Sequence, residues 1–256
     1  MKYVAVIPSI YQPYTDACVA SCKLDNVIVV DNTVTNRGCA ASWNIGVRAM
    51  YETGADWTII MSAGVRFGKP GGLDLVEAMC LNPDALCVEA DRPSRLVKYV
   101  DHFGWHLLAI HRRTFDDVGL FDENIWPAYV EDTDFHYRMK TFYGDRCDRA
   151  CSPSWPRVHV DGYLESASHG VTLGEVKTDD HGQKEYYIRK WGGSCSGWGP
   201  PAPQEWDHPF NNRANPISYW PCPTACTRPG PPTPTYAIGS AWDWISQNFP
   251  KDTVSL

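Results

Sequence analysis

Short apolar runs closed by turn residues set the rhythm of the first third of the chain. Residues 3 to 9 (YVAVIPS) and 26 to 32 (NVIVVDN) are short apolar, β-branched runs ended by turn residues, which is how buried parallel strands read. The stretch between them is long enough for one short helix. After Asn36-Arg37-Gly38, the residues Ala40, Trp43, Val47 and Met50 fall at helical spacing, and Gly54 stands where such a helix would end. A third strand follows at residues 57 to 63 (WTIIMSA). Strand, helix, strand, helix, strand predicts a parallel sheet with right-handed crossovers, in which ligands sit beyond the carboxyl ends of the strands. Those ends are Ser9, Asp31 and Ser62.

A further helix is expected over residues 72 to 79, a strand over 85 to 89, and another apolar element over 105 to 112 (WHLLAIHR), so the α/β pattern runs to about residue 150. From residue 199 the composition turns to Pro-rich sequence that favours an extended, poorly helical path. The expected organisation is an enzyme domain over residues 1 to 198 and a Pro/Gly-rich C-terminal extension over 199 to 256. Within the extension, residues 240 to 249 place Trp242, Ile245 and Phe249 on one helical face, which suits a short amphipathic helix docked on its own core.

Composition narrows the function classes. A chain of 256 residues with 43% hydrophobic content buries one full core. A net charge of -7 without a Lys/Arg run argues against a nucleic-acid partner. No stretch approaches the roughly 20 apolar residues of a membrane span, and the expected location is the cytoplasm. Five of the ten cysteines (Cys18, Cys22, Cys39, Cys80, Cys87) lie in core-like segments and read as buried thiols. Cys18 with Cys22, Cys147 with Cys151 and Cys222 with Cys226 have a spacing that zinc sites allow, but without a tight knuckle pattern.

The common phosphate-binding signatures are missing. The first strand runs into IYQPYTD instead of a G-x-G-x-x-G turn, and GKPGG at residues 68 to 72 has no Lys-Ser/Thr ending. Neither a G-x-S-x-G elbow nor an H-E-x-x-H helix is present. What stands out is the string FDENIWPAYVEDTDFHYR at residues 121 to 138, with Asp122, Glu123, Glu131, Asp132 and Asp134 interleaved with Trp126 and Tyr129. Acids at a helix start cap it and complement its dipole. Acids flanked by large aromatics also suit sugar chemistry, where a flat ring stacks on the pyranose and a carboxylate takes a hydroxyl proton.

On these residues the chain resembles a known family. VGLFDENIWPAYVEDTDFHYRM, residues 118 to 139, looks like the acceptor-side segment of GT-A glycosyltransferases similar to family 2, in which a G-x-F-D-E turn precedes a Y-x-E-D-x-D-x-x-x-R helix start. Residues 27 to 49 and 54 to 64 resemble that family's second strand with its loop and its third strand. YYIRKWGG at 186 to 193 resembles a tail element of bacterial and phage members, and a phage-encoded chain would work in the host cytoplasm.

The resemblance implies a GT-A, Rossmann-like α/β fold with a mixed, mainly parallel sheet, and inverting sugar transfer from a nucleotide-sugar donor to a glycan, protein or small-molecule acceptor. It implies Asp132 as catalytic base, with Glu131 orienting the acceptor or supporting Asp132. Pro8, Ser9, Asp31, Asn32, Asn36, Arg37, Gly38 and Asn44 would line the nucleoside side, and Trp105, His106, Trp126 and Tyr129 would wall the acceptor or sugar.

One departure stands against these matches. Where the family carries an acidic pair that holds a divalent cation, Mn or Mg, on the donor diphosphate, this chain has Ser62-Ala63-Gly64 followed by Val65 and Arg66. Loss of the charged ligand lowers affinity for a hard cation. Ser62 with His159 or His169 could still contribute to a metal, or Arg66 could neutralise the leaving group without one. Two rival readings remain: a glycan- or nucleotide-binding module with reduced catalysis, suggested by the missing acidic pair, and a sugar-phosphate nucleotidyltransferase, which lacks its glycine-rich basic loop here.

Overall fold

The computed structural model describes residues 1–91, 104–147 and 152–165, together with Tyr187 and Val254–Ser255. β1 (Tyr3–Ser9), α1 (Gln12–Ser21), β2 (Val27–Asp31), α2 (Cys39–Thr53) and β3 (Trp57–Met61) reproduce the expected alternation almost residue for residue. Gly54 ends α2 in the left-handed conformation, its N–H donating to the carbonyls of Met50 and Tyr51. β4 (Val65–Phe67), α3 (Leu73–Leu81) and β5 (Cys87–Asp91) follow. Next come β6 (Leu107–His111), α4 (Arg112–Val118), α5 (Glu131–Tyr143), β7 (Arg157–His159), β8 (Gly162–Leu164) and β9 (Val254–Ser255).

The main sheet has the order β7-β5-β6-β3-β1-β2-β9. β1 pairs in parallel with β2 and β3, and β5 with β7, whereas β6 is antiparallel to both β3 and β5, and β9 is antiparallel to β2. The strands β7, β5, β3, β1 and β2 therefore share one direction, opposed by β6 and β9. This is the mixed, mainly parallel sheet of an α/β fold. A separate two-stranded sheet pairs β4 with β8.

Period-two alternation distributes the strand side chains between two cores. Val4 and Val6 of β1, Ile28 and Val30 of β2, and Leu108 and Ile110 of β6 pack with Trp43, Phe115, Phe121 and Phe135 under α2, α4 and α5. Ala5, Ile7, Ile59, Met61 and Ala109 face the other way, toward Cys18 of α1 and Leu75 and Met79 of α3. Each fully buried Val, Leu, Ile or Met contributes about 1.5–3 kcal/mol of transfer free energy, so the sheet is anchored on both faces and its strand ends are held still.

Because β2 and β3 lie on opposite sides of β1, the chain reverses its direction of winding at β1. That creates a crevice at the carboxyl ends of β1 and β3.

One expectation needs adjustment, that of five buried thiols. Cys80 is exposed on α3, whereas Cys18, Cys87 and Cys147 are buried, and the described cysteines are free thiols. The apolar run at residues 105 to 112 is an antiparallel strand preceded by a 3-10 turn (Gly104–His106). The tail element at 186 to 193, apart from Tyr187, and the proposed helix at 240 to 249 lie outside the described residues, as do His169, Cys151, Cys222 and Cys226. No helix among the described residues is long and apolar enough to cross a membrane.

Candidate active site

The crevice is a pocket of about 340 Å³, within the size range of small-molecule sites. Its first wall comes from the end of β1 and the turn into α1, with Pro8, Ile10, Tyr11 and Tyr14. Ser9 does not reach it: the side chain is fully buried and accepts a 2.7 Å hydrogen bond from the Thr15 hydroxyl.

At the end of β2, Asn32 lines the pocket and organises the following loop. Its amide donates to Ser42 Oγ (2.8 Å) and its carbonyl oxygen accepts from the Arg37 N–H (3.1 Å). Asp31 turns onto its own loop, accepting from the N–H (2.8 Å) and hydroxyl (2.6 Å) of Thr33, and those bonds hold its carboxyl below the usual range. Arg37 donates to the Asp31 carbonyl at 2.7 Å. Neither Asp31 nor Arg37 is among the lining residues.

Asn36 and Gly38 line the pocket and zip this loop to residues 126 and 127. Trp126 donates its indole N–H to the Asn36 carbonyl (3.0 Å), and the Cys39 N–H donates to the Pro127 carbonyl (2.7 Å). Gly38 is required at this seam, because its φ is +88° and a Cβ there would stand 2.7 Å from Trp126 Cδ1. Trp126 is thus a buried brace, while Tyr129 beside it lines the pocket and is 46% exposed.

Asn44 also serves the frame. Its amide donates to the Phe121 carbonyl and to Glu123 Oε1, both at 2.9 Å, and its carbonyl oxygen accepts from the Phe121 N–H at 3.0 Å. Arg48 adds an ion pair to the same Glu123 at 3.1 Å. The G-x-F-D-E turn is therefore clasped to α2.

The far wall comes from β3 and β6. Antiparallel pairing sets Met61 opposite Leu107, and the Ser62 N–H donates to the His106 carbonyl at 2.9 Å, so Trp105 and His106 stand beside Ser62, Ala63 and Gly64 in the lining. Trp105 is steadied by edge-on contacts to Phe121, Phe135 and Trp155. β8 brings Leu164 and Glu165 to the same wall.

The acids arrive on α5. Tyr129 and Val130 have φ values of +72° and +66°, a conformation that costs non-glycine residues of order 1–3 kcal/mol each. This kinked entry sets Glu131 and Asp132 in the first turn, both facing the pocket. Asp132 Oδ1 accepts from the N–H (2.7 Å) and hydroxyl (3.3 Å) of Thr133. Glu131 is 5% exposed, hydrogen-bonds with the Cys39 thiol, and leaves its Oε2 without a hydrogen-bond partner among the described residues.

Burial, reinforced by the neighbouring Asp132 charge, pushes Glu131 up to about 8. Burial also raises Asp132, but there the Thr133 donors and His106 oppose it. When the pair shares one proton, these environments place it on Glu131 and leave Asp132 as the carboxylate.

A divalent-cation site does not emerge from the described residues. No group of three or more His, Cys, Asp or Glu side chains is gathered to hold a metal. His159 lies on the edge strand β7, away from the pocket lining. Arg66 is behind the wall, held by the carbonyls of Ala63 (2.7 Å) and Val65 (2.9 Å) and by Glu165.

Ile10, Tyr11, Tyr14, Cys39, Trp43, Met61, Pro127, Ala128, Leu164 and Glu165 also line the pocket, none of them expected as a site residue from sequence. Cys39 carried a signal, since it follows Gly38 at the start of the α2 pattern. Glu165 carried none, because its place depends on the β4–β8 pairing.

No family model matches the chain, and no curated protein sequence matches it. Among solved structures, it is similar to glucosyl-3-phosphoglycerate synthase from Mycobacterium tuberculosis in complex with Mn2+, uridine diphosphate and phosphoglyceric acid, at 12% identity and a TM-score of 0.47. That alignment covers 68% of this chain and 73% of the other. It is similar to S. aureus TarS at 10% identity and a TM-score of 0.43, covering 75% and 72%. It is also similar to the mannosyltransferase PcManGT from Pyrobaculum calidifontis in complex with GDP-Man and Mn2+, at 11% identity and a TM-score of 0.44, covering 78% and 65%.

Proposed function

We propose that the chain is a glycosyltransferase of the GT-A type that moves a sugar from a nucleotide-sugar donor to an acceptor hydroxyl with inversion. The observation that carries this reading is the position of the Glu131–Asp132 pair, in the pocket at the carboxyl ends of β1 and β3, facing aromatic walls. Donor nucleoside lies against Pro8, Tyr11 and Asn32, and the transferred sugar between Ser62–Gly64 and Trp105, His106 and Tyr129.

Asp132 takes the proton of the acceptor hydroxyl as that oxygen bonds to the anomeric carbon. The bond from that carbon to the diphosphate oxygen breaks, and the nucleoside diphosphate leaves with the electron pair. Glu131, protonated at neutral pH, serves as a hydrogen-bond donor that orients the acceptor or supports Asp132.

The test is Asp132→Asn, assayed against a panel of nucleotide sugars and acceptors. Transfer is expected to fall at least about 100-fold, the lower end of what a general base contributes, while donor binding, read as thermal stabilisation, persists. Full transfer by this variant would remove the assignment. The absence of a carboxylate at Ser62-Ala63-Gly64 favours one second reading, a binding module that retains nucleotide sugar without turning it over. Stabilisation of the wild-type chain by a donor with neither transfer nor hydrolysis would select it.

A further inference from the structure

Among the described residues, the pocket wall carries the acids Glu131, Asp132 and Glu165 and no Lys or Arg. Arg66 stands immediately behind that wall. Its guanidinium donates to the carbonyls of Ala63 and Val65, lies 5.2 Å from the Tyr14 ring centre, and pairs with Glu165 at 2.5 Å. The partners differ sharply in exposure: the Arg66 side chain is 8% exposed and that of Glu165 is 43% exposed. A cation fixed by two backbone carbonyls is thus capped by a carboxylate that itself reaches solvent and the pocket.

We infer that Arg66 is the anion-binding group of this pocket, suited to a pyrophosphate, and that Glu165 occupies it until such an anion arrives. This rests on the nucleotide-sugar reading above, because it says where the donor diphosphate is held. Losing Glu165 alone would leave a buried guanidinium short of a partner, which is costly, so the carboxylate gives way only to another anion. Pyrophosphate offers the guanidinium nitrogen that now meets Glu165 an oxygen anion carrying more charge. Neutral sugars offer no such exchange, so the pair selects for phosphorylated ligands.

The backbone supports an exchange made by side-chain rotation alone. The Glu165 N–H donates to the Gly64 carbonyl at 2.8 Å, and β8 pairs Tyr163 with Arg66. A Cβ on Gly64 would stand 2.9 Å from the Glu165 carbonyl oxygen, so glycine permits the two segments to meet. The main chain of Glu165 stays in place while its carboxylate swings toward solvent.

The experiment is calorimetric titration of the full chain with inorganic pyrophosphate, for wild type, Glu165→Gln, Arg66→Met and the double variant, with and without Mg2+. Glu165→Gln is expected to tighten binding about tenfold, and the double variant to bind no better than Arg66→Met. Unchanged affinity in Glu165→Gln overturns the inference. Weaker affinity seen only with Mg2+ also overturns it, by making Glu165 a cation ligand. Thermal melts establish that each variant is folded, and Glu165→Gln decides the matter by itself if Arg66→Met is not. If Glu165→Gln tightens pyrophosphate although the wild type turns over no nucleotide sugar, the anion site stands and the transfer reading falls. If the wild type transfers sugar and Glu165→Gln gains nothing, the reverse holds.

Discussion

Cys39 and Glu131, the first residues of α2 and α5, share a hydrogen bond in the wall of the pocket, joining the loop after β2 to the acid pair. That bond favours the ionised carboxyl, but burial and the neighbouring Asp132 charge outweigh it and keep Glu131 neutral, and the consequences can be measured.

Glu131 is raised from an ordinary 4.5 to about 8. A raised acid binds its proton more tightly folded than unfolded, so its contribution is fully present below pH 4.5, declines as pH rises, and is lost above about 8. Glu131→Gln cannot ionise. The melting temperature of this variant relative to wild type should therefore climb between those two pH values, as read by melts across a buffer series. A difference independent of pH would show that Glu131 is not held protonated.

Cys39 is itself pushed well above its usual value, chiefly by burial and then by Glu131, whereas Cys80 is exposed. Timed iodoacetamide labelling followed by peptide mass spectrometry should modify Cys80 first and Cys39 much later. Early labelling of Cys39 would contradict the hydrogen-bonded, neutral thiol.

Asn44→Ala removes three hydrogen bonds and strands the Phe121 N–H and carbonyl in the core. A loss of about 2–3 kcal/mol is expected, visible as a lower urea midpoint with an unchanged slope. Transfer should fall too, because the clasped turn leads into the acid-bearing segment.

Tyr129 holds a left-handed backbone that Asn adopts more readily. Tyr129→Asn should raise stability by about 0.5–1 kcal/mol while weakening acceptor or sugar binding, since an exposed aromatic face is lost. Chemical denaturation and transfer kinetics on one preparation separate the two effects.

The sheet was legible because β1, β2 and β3 are short apolar runs with clear turn residues, and α2 has both its spacing and its terminal Gly54. The direction of β6 was not, since a buried strand reads alike in either orientation and only pairing with β3 decides it. At the site, Glu131, Asp132, Tyr129, Trp105 and His106 were visible as a cluster of acids and aromatics around a helix start. Asp31, Ser9 and Asn44 sat at expected positions, but hydrogen bonds to Thr33, Thr15 and Phe121 turn their side chains to other work. Such rotations depend on partners distant in sequence or on local turn geometry, which residue type alone does not reveal. Glu165 and Tyr14 reach the pocket through tertiary packing.

Just beyond the last pair of the β3–β6 ladder, Met61 with Leu107, the Ser62 N–H meets the His106 carbonyl at 2.9 Å. A slip of β6 by a single residue would exchange the layer of Leu108 and Ile110 with that of Leu107 and Ala109, exposing both cores to the wrong partners. The spacing between those two residues is consequently a fixed gauge, cut by the interstrand distance itself. With the backbone spacing set, the girth of ligand admitted on this side depends on side chains such as those at positions 62, 105 and 106, where a redesign of selectivity should begin.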